Sequence, residues 1–165
     1  MPSELWKMHD VYVRRTRAEM PVRDARVLVD VLNKNIIETI GLSLREVYIT
    51  TRALKHLYDK KPAEEFDFAV DHASIMVKNP ERLYKGKKDK RGGFCLVKNI
   101  EGDEYLMALD ISLAKQNRGI YIVTIFRLRD RNYLKSYDLL WSRRDGAHSS
   151  PRAETDLGRP GDAPQ

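Results

Sequence analysis

A chain of 165 residues with 42% apolar and 33% charged side chains has enough material for one domain core beneath a highly charged surface. No apolar run is long enough to span a bilayer, and the opening MPSELWKMHD lacks the basic-then-apolar pattern of an export signal, which argues against a membrane partner. The net charge is +6 and the isoelectric point about 9.4, and the excess lies before residue 143, because from there on four arginines balance four acids. A basic folded part points to a polyanion, most often nucleic acid.

Residues 1–26 are weakly patterned and read as a basic arm carrying Arg14, Arg15 and Arg17, with Trp6, Val11 and Tyr12 available for packing. VLVDVL at 27–32 is apolar and β-branched, which suits a strand. Asn33 is placed to cap a short helix running to Ile40, and Gly41 supplies the left-handed stop. A second strand is expected over 47–50, with Thr51 as the N-cap of a helix to about Lys60. In that helix Ala53, Leu54, Leu57 and Tyr58 share one side. Arg52, His56 and Lys60 follow one another at i, i+4 on the other, with Lys55 beside them.

Pro62 ends this helix and opens the next, in which Phe66, Val70, Ala73 and Val77 keep helical spacing as far as Lys78. Asn79-Pro80 stops it. Leu83-Tyr84 then leads into KGKKDKRGG, a basic, glycine-containing loop. Three strands follow, FCLVKNI at 94–100, EYLMALDI at 104–111 and IYIVTIFRL at 120–128, joined by the turn signals EGD and KQNRG. Cys95 lies inside the first of these as a small core residue. As the one cysteine it forms no intrachain disulfide, so an intracellular, cytoplasmic setting is expected. Residues 133–141 suit a strand or a short helix equally. The tail, 143–165, has almost no apolar residues and is expected to be disordered. The expected fold is α+β, with N-terminal helices packed on a curved antiparallel β-sheet, a meander, in a domain over 27–142.

Several chemistries are excluded. There is no Cys/His cluster at zinc spacing, no GxxxxGK[ST] or GxGxxG phosphate loop, and no GxSxG elbow, so neither a metal nor a cofactor is expected. What remains suits phosphodiester cleavage of RNA, which carries its own nucleophile in the 2′-hydroxyl. An enzyme need only move two protons and stabilise charge on phosphorus. His56 is the candidate proton carrier, since histidine titrates near neutral pH. Arg52, Lys55 and Lys60 are candidate phosphate stabilisers. Lys61, Lys85, Lys87, Lys88, Lys90 and Arg91 are candidate backbone contacts, and Tyr84, Tyr105 and Tyr133 candidate base platforms. Thr124 is the one aliphatic hydroxyl in an otherwise apolar strand core. His72, beside Asp71, reads as structural, and His9 and His148 as incidental.

LKHLYDKK on a helix, VKNPERLYKG closing a second helix, and IVTIF in the core of a β-meander together resemble the phage-associated group of the barnase, EndoU, colicin and RelE-like nuclease fold. The resemblance covers about 27–137. It implies metal-independent RNA cleavage, an origin among toxins and mobile elements, and an immunity protein or antitoxin as partner. It maps the helix histidine onto His56, the core-strand threonine onto Thr124, and a basic residue between helix and meander onto Lys85 or Lys87. One departure is plain. Where related sequences continue with a second histidine, this chain has Asp59-Lys60-Lys61-Pro62, which leaves the second proton carrier unassigned. The rival expectations are a non-catalytic nucleic-acid-binding module on the same fold and a domain whose basic face meets an acidic protein.

Overall fold

The computed structural model describes residues 3–17, 20–86, 93–112 and 119–143. Four α-helices and seven strands alternate irregularly: α1 (Glu4–Met8), β1 (Arg26–Val31), α2 (Lys34–Ile40), β2 (Glu46–Thr50), α3 (Thr51–Lys60), α4 (Ala63–Lys78), β3 (Arg82–Lys85), β4 (Gly93–Ile100), β5 (Asp103–Asp110), β6 (Ile120–Arg127) and β7 (Asp138–Ser142). One sheet holds all seven strands in the order β1-β2-β6-β5-β4-β3-β7. Every pairing is antiparallel except that of β2 with β6. The α+β class expected from the sequence is therefore present. The meander β4-β5-β6 forms the centre of a wider sheet to which β1 and β2 also belong.

The local signals act largely as expected. The Asn33 side chain accepts the Asn35 amide at 2.8 Å, and Gly41, at φ +82°, ends α2 in the left-handed region where a side chain is costly. The cap of α3 lies one residue earlier than the sequence suggests. Thr50, not Thr51, accepts the Ala53 amide, at 3.1 Å. The Thr51 hydroxyl is buried and committed elsewhere, donating to the Arg23 carbonyl at 2.6 Å and accepting from the Ala25 amide at 3.1 Å. Residues 133–141 split between the two expectations, into the end of a 3-10 helix over Arg131–Ser136 and the start of β7. β3 is an extra strand at RLYK, where the sequence suggested only an approach to the loop.

The main core lies between the helices and one sheet face, around Leu54, Leu57, Phe66, Met76, Leu96, Met107 and Ile122. A smaller cluster, with Tyr84, Cys95, Val97, Leu106 and Ala108, lies on the other face, packed against Leu134 and Tyr137. Cys95 is buried there as expected, and burial pushes its thiol up to about 11, so it is neutral and unreactive.

The first residues do more than pack loosely. Leu5, Met8, His9 and Val13 are all buried in the main core, the latter two on a π-helical turn over His9–Val13. From there the chain runs along α3, held by one face of that helix. Tyr58 donates to the Arg14 carbonyl at 3.1 Å, Lys55 to the Arg17 carbonyl, and Thr51 to the Arg23 carbonyl. Residues 51, 55 and 58 stand on one face at helical spacing.

His9 is far from incidental. Its ring lies among Trp6, Tyr58 and Phe66, with centroids 5.0–5.3 Å away, and neither ring nitrogen has a hydrogen-bond partner in the described structure. Burial lowers its pKa below 6.5, and Arg14 lowers it too, against the opposing pull of Asp10 and Asp67. The folded state therefore binds fewer protons at this site than the unfolded chain between the two pKa values, so the stability from neutral His9 is present above 6.5 and lost as pH falls through the folded value. A His9→Phe variant is expected to keep its melting temperature better than wild type as pH drops below 6.5, as melting curves across pH will read out. Parallel losses in both proteins would contradict it.

Candidate active site

The β2–β6 pairing covers only Val47 with Ile120 and Tyr48 with Tyr121, after which β2 turns directly into α3. The helix then runs beside β6 where a continued strand would have paired. Between them lies a cleft of about 680 Å³ lined by Thr50, Arg52, Ala53, His56, Asp110, Tyr121, Ile122, Val123 and Thr124. Three residues singled out in the sequence, Arg52, His56 and Thr124, thus meet in one place.

A bulge puts Thr124 there. Along β6, Ile122 pairs with Leu109 but Thr124 pairs with Ala108, so Val123 is the extra residue. Strict alternation from Ile120 and Ile122 would bury Thr124 in the main core. The bulge instead sends Ile125 inward and turns Thr124 to the opposite face. Asp110 and Tyr121 pair directly across β5 and β6, and Asp110 is two residues from Ala108, so Asp110, Tyr121 and Thr124 share that face.

The cleft has a polar rim. Thr50 caps α3 here, so the partial positive charge of a ten-residue helix is directed at the cleft. Arg52 makes a 3.5 Å contact with Asp24, but both side chains are more than 80% exposed, so the pair is worth little. His56 is exposed on the same helix face. Asp110 accepts the Ser112 amide at 2.8 Å through Oδ1. Tyr121 accepts a 2.6 Å hydrogen bond from Arg26, whose guanidinium stacks 4.2 Å over the Tyr48 ring. Gly119, at φ +102°, lets the Tyr48 ring pack against the backbone, since a Cβ there would lie 2.9 Å from it. Asp110 and Tyr121 were not anticipated. The one signal for Asp110 is a charge that breaks the apolar run YLMAL.

Lys55 does not join them. It is buried, paired with Asp59 at 2.8 Å and bound to the Arg17 carbonyl, on the face of α3 that holds the N-terminal segment. It borders a separate cavity of about 270 Å³ that Arg52, His56 and Lys60 also touch. With its ammonium buried between two acceptors, Lys55 holds the fold together and stands outside the lining of the larger cleft. Tyr105 is enclosed as well. It is buried in the main core, stacked 4.7 Å from Phe68, with no face open to a base. Tyr84 is buried too, and accepts from Arg82 at 2.8 Å. Lys60 is exposed. Lys61 is half-buried, 3.9 Å from Glu65 and 5.3 Å over the Phe126 ring. Lys85 is exposed at the end of β3. Lys87, Lys88, Lys90, Arg91 and His148 lie outside the described residues. His72 is held by the Phe68 carbonyl at 2.8 Å and stacked on the Phe68 ring, as a structural histidine.

Among the described residues, no three His, Cys, Asp or Glu side chains are grouped to share a metal ion, and no helix is long and apolar enough to cross a membrane. No curated protein and no solved structure matches the chain. One family model does match, over residues 26–135, about two thirds of the chain, and that range contains every residue lining the cleft. The substrate class of such a domain is nucleic acid, and the chain belongs to the phage-Barnase-EndoU-ColicinE5/D-RelE like nuclease3 family.

Proposed function

We propose that this nuclease domain cleaves RNA without a metal, through attack of the 2′-hydroxyl on the adjacent phosphorus. The observation that carries the reading is that His56 and Arg52 on α3 line one cleft with Thr124 and Asp110 from the sheet. Arg52 and the N-terminus of α3 hold the phosphate and stabilise charge as it builds on the non-bridging oxygens. The 2′-oxygen bonds to phosphorus and its proton passes to a base. The bond from phosphorus to the 5′-oxygen breaks, and that oxygen takes a proton from an acid. His56 fills one of these two places. Asp110 is the group we assign to the other, which the sequence left vacant. Thr124 orients the phosphate by hydrogen bonding.

The products are a 2′,3′-cyclic phosphate and a free 5′-hydroxyl. The phage and colicin names in the family description fit an effector in a toxin or mobile element, restrained by an immunity protein or antitoxin. Incubating the full chain with RNA in EDTA and identifying the new ends tests the chemistry. Cyclic phosphate termini are expected. Linear 5′-phosphate ends, or cleavage only when a divalent ion is restored, would overturn it. Salt-sensitive binding with no product would favour the non-catalytic module instead.

A further inference from the structure

A second pocket adjoins the cleft on the outer face of the sheet. It encloses about 190 Å³ and shares two lining residues with the cleft, Val123 and Thr124. The bulge that turns Thr124 outward is therefore the wall common to both. The pocket's character is otherwise opposite. None of the described residues lining it carries a charge, whereas the cleft holds Arg52, His56 and Asp110.

Its walls are aromatic. Phe126 meets Tyr133 edge to face at 5.4 Å, and Tyr133 is stacked with Tyr137 at 5.6 Å with planes 27° apart. Cys95 and Ala108 form the floor, both small and buried. Tyr137 is kept neutral, since burial, and then its hydrogen bond to Tyr133, hold its phenol well above the ordinary value of 10. Tyr133 is 41% exposed, so its ring is reachable from solution. With aromatic walls and no charge among its described lining residues, the site suits a flat neutral heterocycle better than a phosphate. A cavity of about 150 Å³ takes up one benzene ring, so a pocket of 190 Å³ matches one base and not two.

We propose that this pocket is a nucleobase subsite, with Tyr133 as the stacking platform for the base of a nucleotide whose phosphate lies in the His56 cleft. The inference rests on the proposed function for the position of the phosphate. Its chemistry, a neutral ring beside an anion site, stands on the two pockets themselves. The shared wall of Val123 and Thr124 sets their spacing, and adjacent sites are what a single nucleotide requires. Stacking favours any base, and the Tyr133 and Tyr137 hydroxyls and the Thr124 hydroxyl supply the polar contacts for choosing among bases.

The test is calorimetric titration of the full chain with the four nucleoside 3′-monophosphates and with ribose 3-phosphate, which keeps the anion and lacks the base. At least one nucleotide is expected to bind about tenfold or more tightly than ribose phosphate, the size of one base on an aromatic platform. Tyr133→Ala should abolish that ratio and Tyr133→Phe should keep it. Ala108→Leu, which fills the floor without touching the platform, should also abolish it and guards against misfolding of the alanine variant. Equal affinity for nucleotides and ribose phosphate in the wild-type protein would overturn the proposal, as would a ratio unchanged in folded Tyr133→Ala and Ala108→Leu. The readout needs no cleavage. Tighter binding of a nucleotide than of ribose phosphate without RNA cutting leaves the subsite standing and removes the catalytic reading, and cutting without that advantage does the reverse.

Discussion

Replacing His56 with alanine is expected to slow RNA cleavage by about 100- to 10,000-fold, the usual contribution of a positioned proton-transfer group. The effect should fall on kcat, because the proposed mechanism has the imidazole act as bonds to phosphorus form and break and leaves ground-state binding to Arg52 and the α3 terminus. His56 is exposed and lies outside the core, so the melting temperature should barely move. Single-turnover rates on a labelled oligoribonucleotide, measured beside a thermal melt, separate the two quantities. A loss of rate that follows a loss of folded protein would assign His56 to structure. A rate within a fewfold of wild type would leave the cleft without its proton carrier.

The second large effect belongs to the neighbouring cation. Lys55→Met is expected to cost about 3–5 kcal/mol of stability, because it removes one partner of a buried ion pair. Asp59 loses its ammonium at 2.8 Å, and the Arg17 carbonyl loses a donor. For a chain of this size that corresponds to a fall in melting temperature of roughly 10 °C. Well below the lowered midpoint, the cleavage rate of the folded variant should stay within a fewfold of wild type. The opposite pattern, an unchanged melt with a collapsed rate, would return Lys55 to the active site. Of these two cations three residues apart, Arg52 lines the cleft, whereas Lys55 does not and grips the N-terminal segment.

The sequence could not make that separation. A helical projection tells which side chains share a face, and it correctly put Leu54 and Leu57 in the core. It treats all other faces as solvent. Lys55 is buried because Arg17, distant in sequence, is laid across it, and nothing local to α3 announces this. The burial of His9 is hidden from the sequence for the same reason, since its aromatic surroundings come from α1, α3 and α4 together. What was legible was what short-range physics dictates: the caps and stops of α2, the run of α4, and the three central strands.

The site was legible in part. His56 and Arg52 share a helix face, so their nearness follows from spacing alone. Thr124 reached the cleft through a bulge at Val123, which no alternation pattern reveals, although the family resemblance pointed to the same residue. Asp110 and Tyr121 came into view only with the register of β5 against β6. Each is an ordinary residue near a strand end until that register places it beside α3.

The most direct test of the account uses the nucleophile itself. The full chain is incubated in EDTA with an oligoribonucleotide and with the same sequence 2′-O-methylated throughout. Cleavage of the first and complete survival of the second is the expected result. Cutting of both strands would show that the 2′-hydroxyl is not the attacking group, and survival of both would remove RNA cleavage from the cleft altogether.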